Sequence, residues 1–133
     1  MKKTIAALRL IFCTYYITVG FLVLLMVMGF IDKPELNLNP QSTALLEAFH
    51  QSGFIFPLLG MAYSSSGIMI LFRRTRPLGV VILAPLVLAI MLNHIILDGN
   101  PIWGISHAAL LFLFAWQVRD AFVPLWNYST EEK

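Results

Sequence analysis

The chain is poor in charge and nearly free of cysteine. Lys and Arg number 9 and Asp and Glu 7, so charged residues make up 12% of the 133, against about a quarter in soluble domains. So few charges cannot coat a water-facing surface, and a soluble globular enzyme is excluded. Cys13 is the only cysteine. It can form no intrachain disulfide, and a single thiol offers no redox pair. Tight metal-ligand spacings such as His-x-x-x-His are absent, as are a nucleophilic triad and a glycine-rich phosphate loop, so hydrolase and kinase readings lack their residues. No repeat and no low-complexity tract stands out.

What the chain has instead is apolar length. Hydrophobic residues make up 59%, and the mean hydropathy is +0.79. Uncharged stretches run over Leu10–Ile31, Ala48–Phe72, Pro77–Leu97 and Gly99–Val118. Each reaches about 20 residues, enough for a helix to cross a hydrocarbon core of about 30 Å. Backbone groups in lipid must be satisfied within the segment, and the alternating ten-residue strands of a barrel are not seen. The expectation is an all-α transmembrane four-helix bundle, one membrane domain over 1–133 with spans at roughly 8–31, 49–72, 77–97 and 103–123. Lys2 and Lys3 before the first span resemble the start of a secretory signal. That run is too long, and no Ala-x-Ala site follows Met28, so it reads as a retained helix.

Orientation follows from the basic residues. Lys2, Lys3 and Arg9 precede span one, Arg73, Arg74 and Arg76 separate spans two and three, and Arg119 and Lys133 follow span four; Lys33 alone lies on the other side. The positive-inside rule places both termini in the cytoplasm. The net charge of +2 is thereby explained by topology anchors, and no nucleic-acid partner is indicated. The partner implied throughout is the lipid bilayer.

Several local features complete the outline. In the outside segment Asp32–Glu47, Pro34, Asn37, Asn39 and Pro40 break structure, and Ser42 or Thr43 is placed to cap a helix leading through Leu45, Leu46 and Phe49 into span two. Asp98-Gly99-Asn100-Pro101 reads as a tight turn with glycine at positive φ, making spans three and four a hairpin. Gly53, Gly60 and Gly67, seven apart, mark one close-packing face. Pro57 and Pro85 fall inside spans and are expected to bend them. Trp103, Trp116, Phe122, Trp126 and Tyr128 lie near span ends, as interfacial anchors do.

The polar residues at membrane depth carry whatever chemistry there is. His50, His94 and His107 are all expected near the outer leaflet, with Glu47 one turn before His50 and Asp98 one turn after His94. A carboxylate that accepts the ring N–H fixes the tautomer and raises the basicity of the other nitrogen. Asn93 and Ser106 are placed to add hydrogen bonds. Four readings of these histidines stand side by side: a three-histidine metal site, haem ligation between facing helices, a pocket for a quinone-like or lipid-like ligand, and interhelical hydrogen bonds with no ligand. Quinone or metal are thus the cofactors in view, without a motif specific to either. Thr14, Tyr15, Tyr16 and Thr18 form a polar cluster in span one, and Ser64, Ser65 and Ser66 need only bond back to their own helix. Tyr63, mid-span, is the further candidate ligand-binding residue. Membrane carboxylates do not come in pairs here, so a proton pump is not indicated.

The run Ser52-Gly53-Phe54-Ile55-Phe56-Pro57, then Gly67, Arg76-Pro77-Leu78-Gly79, Ala84-Pro85-Leu86 and His94 resembles the DoxX-like family of small four-span bacterial membrane proteins, over about half of the chain. That resemblance implies an accessory or redox-linked role beside a membrane oxidoreductase partner such as thiosulfate:quinone oxidoreductase. An enzyme subunit that handles quinone or metal at the outer-leaflet histidines is the alternative. Where many members carry a lysine and a glutamate in span two, this chain has Gly60 and Tyr63. His94 is the polar position that matches the family, and the resemblance implies a ligand-contacting role for it alone.

Overall fold

The computed structural model describes residues 2–34 and 38–126. Among them the chain is all-helical: α1 Lys2–Val27, α2 Pro40–Gln51, α3 Ile55–Leu71, α4 Arg76–Ile96, α5 Pro101–Gln117, a 3-10 turn Arg119–Phe122, and the short α6 Val123–Trp126. Asn37, Tyr128 and Lys133 lie outside the described residues. Helices α1 and α4 are each long and apolar enough to cross a membrane. Helices α3 and α5 have 17 residues each and reach that length only together with the helix beyond a sharp bend, so the spans number two to four.

Close approach between backbones sets the packing. Gly67 lies against Cys13 and Ile17, and Gly60 against Gly20 and Leu24, so α1 and α3 run antiparallel. Gly79 of α4 meets Ser66, Met69 and Ile70 of α3, and Gly104 of α5 meets Met91 and His94 of α4. Aromatic contacts close α5 back onto α1, Phe12 meeting Phe114 edge-on with centroids 5.1 Å apart. The buried core draws on all four long helices: Phe12, Cys13 and Tyr16, then Ile70, then Val80, Leu83 and Val87, then Leu111 and Phe114. Outside it the helices remain apolar. Only 22% of the most hydrophobic stretch of α1, and the same share of α4, is buried; Leu10, Ile11, Phe21, Leu88 and Leu92 face outward.

Several expectations are corrected. The second apolar stretch is not one helix from 49 to 72 but two, α2 and α3, set at 96°. Gly53 (φ 74°) makes that corner, and a Cβ there would meet nothing within 4 Å, so it belongs to no glycine seam. Gly20 takes its place as the partner of Gly60. Ser52 holds the corner from both sides: its hydroxyl donates to Phe49 O (2.6 Å) and accepts from Ile55 N (3.2 Å). The cap of α2 is Asn39, whose side chain accepts from Ser42 N at 2.9 Å, with Pro40 at the first helical position; neither Ser42 nor Thr43 caps. Pro57 sits in the first turn of α3, where its missing N–H has no partner to lose, and α4 continues through Pro85. Arg76 is more than an anchor: its Nε donates to Ile70 O (3.0 Å), and Thr75 Oγ1 donates to Met69 O (2.9 Å), satisfying carbonyls that the end of α3 leaves open. Phe122 packs against the core.

The α1–α3 seam sets the first prediction. A Cβ on Gly20 would lie 2.6 Å from Ser64 N and 2.7 Å from Gly60 O, backbone atoms that cannot swing away. Gly20→Ala is expected to lower stability by about 1–3 kcal/mol, the usual range for overpacking, read as a fall in Tm of the purified protein. An unchanged Tm would mean that the two helices separate at no cost.

Candidate functional site

Asp98 gathers the polar groups at one end of the molecule. Helix α4 ends with Asp98 N donating to Asn93 O (3.1 Å), Gly99 at φ 65°, and Asn100 N donating to His94 O (3.0 Å). This turn, read correctly as a tight glycine turn, sets the Asp98 carboxylate beside its own helix. His94 Nδ1 donates to Asp98 Oδ2 at 2.8 Å, and Asn93 Nδ2 donates to the same oxygen at 3.2 Å. Oδ1 accepts from the hydroxyl of Ser42, which is 2% exposed. A second tie runs alongside, since Asn39 Nδ2 donates to Leu97 O. Helix α2 is thus fastened across the α4–α5 turn by Asn39 and Ser42, a residue pair that the sequence presented as loop breaker and cap.

Beneath α2 lies a cavity of about 310 Å³, within the range of small-molecule sites. Leu45, Leu46 and Phe49 of α2 roof it, Phe56, Leu59 and Tyr63 of α3 and Leu86 and Ile90 of α4 form the walls, and Val23 reaches in from α1. Its polar lining is Ser42, Asn93 and His94 at the α2 end and Tyr63 deeper in. Tyr63 is eight residues into α3, roughly 12 Å along its axis, so the space is elongated, with a polar mouth and apolar flanks.

The candidate residues therefore separate. His94, Asp98 and Tyr63 belong to this cavity or to its support. His107 does not line it: it is 8% exposed, its Nδ1 is hydrogen-bonded to Tyr16 Oη at 2.8 Å, and Tyr15 and Trp103 stand over it with centroids 5.0 Å away. His50 is exposed on α2, 6.0 Å from the ring of Phe56. Glu47 is exposed and makes no ion pair with it among the described residues. Ser106 bonds back to Ile102 O (2.7 Å). The three histidines thus point to three different surroundings, and among the described residues no three His, Cys, Asp or Glu side chains are placed to hold a metal. Tyr16 was the partner hidden in the sequence; its ring also touches that of Tyr63, with centroids 5.6 Å apart.

Hydrogen bonds to a charged group contribute about 1.5–3 kcal/mol each, so Ser42 and Asp98 are expected to be energetically coupled. A double-mutant cycle with Ser42→Ala and Asp98→Ala, read by equilibrium unfolding, should give a coupling of about 1–2 kcal/mol. Strict additivity would show that α2 is held by its apolar face alone.

Comparison of the chain with protein-family models, with curated proteins and with solved structures gives no match.

Proposed function

We propose that this chain is a four-span protein of a bacterial inner membrane that binds a small apolar ligand beneath α2, as an accessory or redox-linked subunit of a membrane oxidoreductase. The cavity is the observation that carries the reading: an elongated apolar space of about 310 Å³ whose few polar groups converge at one end. That is the composition of sites that bury a hydrophobic body and orient a single polar head.

The membrane part rests on the outward apolar faces, since a helix hydrophobic all round is at home in lipid. Helices α3 and α5 are each about 25 Å long at 1.5 Å per residue. Each is completed by a bent segment, α2 at 96° on one and 119–125 at 77° on the other, as expected for helices lying along the two interfaces. The antiparallel order gathers Lys3, Arg9, Arg73, Arg74, Arg76 and Arg119 at one end and leaves Lys33 and the Asp98 turn at the other. With the basic end in the cytoplasm, the cavity belongs to the outer leaflet.

The residues that carry the likeness to DoxX-like proteins fall at the corner and in the cavity. Ser52 to Pro57 forms the α2–α3 corner, and Phe56, Leu86 and His94 line the cavity. The departure also has a physical reason. A side chain at Gly60 would meet Leu24 Cγ at 2.8 Å and Gly20 O at 3.0 Å, so the lysine of other members has no room here. The enzyme alternative keeps the same cavity, with the Asp98-supported His94 imidazole taking a proton from a bound head group; its metal form has no converging ligand set to rest on.

A reporter enzyme fused within 73–76 or at the C-terminus is expected to report the cytoplasm; a periplasmic signal from either would reverse the orientation. For the cavity, ubiquinone-1 and its quinol serve as probes with protein in lipid nanodiscs. At least one should bind, and His94→Phe should weaken quinol binding about tenfold, as loss of one hydrogen bond worth about 1–3 kcal/mol requires. Equal binding by variant and parent would leave His94 a structural residue.

A further inference from the structure

We infer that the cavity selects, among small apolar molecules, those whose head carries a hydroxyl, over molecules of the same shape whose head oxygen can only accept a hydrogen bond. This rests on the binding reading above and adds the chemistry of the ligand's head.

The inference comes from where the protons at the cavity mouth are already committed. A carboxylate is an acceptor only, so each group bonded to Asp98 must spend a donor on it. Ser42 has one hydroxyl proton, and it goes to Oδ1. His94 gives its Nδ1 proton to Oδ2 at 2.8 Å. An imidazole fixed in this way keeps a lone pair on Nε2, aimed by the contact behind it. Asn93 must turn its Nδ2 toward Asp98, 3.2 Å away, which settles the amide orientation and leaves Oδ1 as the free acceptor. Among the described residues nothing donates to His94 Nε2 or to Asn93 Oδ1.

The mouth therefore offers three acceptors, Ser42 Oγ, Asn93 Oδ1 and His94 Nε2, against one remaining N–H on Asn93. A hydroxyl both donates and accepts, so it can give its proton to His94 or Asn93 and receive the amide N–H. A carbonyl or ether oxygen can use only that N–H, and it sets its own lone pairs against those of the imidazole. Leaving a buried acceptor without its proton is the more unfavourable outcome, and recognition built on such groups discriminates strongly against analogues that lack the donor. The walls fix the remainder of the ligand. Leu59, Leu86 and Ile90 line a passage from His94 toward Tyr63, about 12 Å at 1.5 Å per residue, suited to one ring with a short straight chain.

The test uses 4-hexylphenol and its methyl ether, 4-hexylanisole, which differ in the donor alone and undergo no redox change. Binding is measured by calorimetry at pH 8 to the full chain in phosphatidylcholine nanodiscs, with partitioning into empty discs subtracted. The phenol is expected to bind at least about tenfold more tightly than the ether. His94→Leu should bring the two within about threefold while the thermal unfolding curve stays cooperative. Ala89→Phe, which adds a ring at the cavity wall one turn from Asn93, should weaken both. Equal affinity of the parent for phenol and ether, or preference for the ether, overturns the head-group inference and leaves a binding cavity standing. Binding of neither overturns the cavity reading and this inference with it. A phenol affinity unchanged by Ala89→Phe would place the ligand elsewhere and overturn both.

Discussion

A carboxylate in a mostly apolar molecule must be surrounded by donors or it is strongly destabilising, and Asp98 meets that demand with three. The consequence extends well beyond the residue. Because one donor comes from α2 and two from α4, the condition for keeping Asp98 in place is also the condition for holding α2 across the end of the bundle. Because α2 is held there, Leu45, Leu46 and Phe49 become a roof, and the gap between α3 and α4 becomes a partly covered pocket. Without the carboxylate, α2 would keep its apolar face, the corner bonds of Ser52 and the single tie from Asn39 to Leu97 O.

Small residues and aromatic residues divide the other packing tasks. The glycines bring α1 to α3, α3 to α4 and α4 to α5 within backbone contact, where close van der Waals fit holds apolar helices together. The α5–α1 closure is of another kind: Phe12, Tyr16, Phe114 and His107 fill it with rings. A ring-filled seam keeps its helices further apart than a glycine seam.

Much of the outline was legible in the sequence because it depends on one-dimensional quantities. Uncharged length marks the long helices, and the Asp98-Gly99-Asn100-Pro101 turn marks the hairpin by local conformational need. The i, i+4 spacing of His94 and Asp98 gave their pairing directly. What escaped depends on three-dimensional encounters. The stretch from Ala48 to Phe72 is uncharged throughout, and a reading by charge passes over the polar run His50-Gln51-Ser52-Gly53 at which the corner falls. Ser42 was read as a cap and Asn39 as a breaker; Asn39 is the cap, and the other bonds of both go to residues nearly sixty positions away. Equal depth was the argument for convergence of the three histidines. Depth fixes position along a helix axis but not rotation about it, and rotation sends His107 toward Tyr16 and His94 toward the cavity.

Two buried or half-buried histidines on adjacent antiparallel helices thus acquire opposite characters from their partners. His107 is hydrogen-bonded to a phenol and enclosed by Tyr15, Tyr16 and Trp103, so its ring serves as one more aromatic element of the α1–α5 seam. His94 is backed by a carboxylate that is itself anchored twice more, and its other nitrogen is left without a protein partner among the described residues. A ring that is oriented but incompletely satisfied is the arrangement of a ligand-contacting group, because orientation lowers the entropy lost on binding and the free lone pair gives the ligand something to satisfy. The same carboxylate that fastens α2 therefore also prepares the imidazole beneath it. Roof and imidazole share one anchor, and a change at Asp98 must affect both.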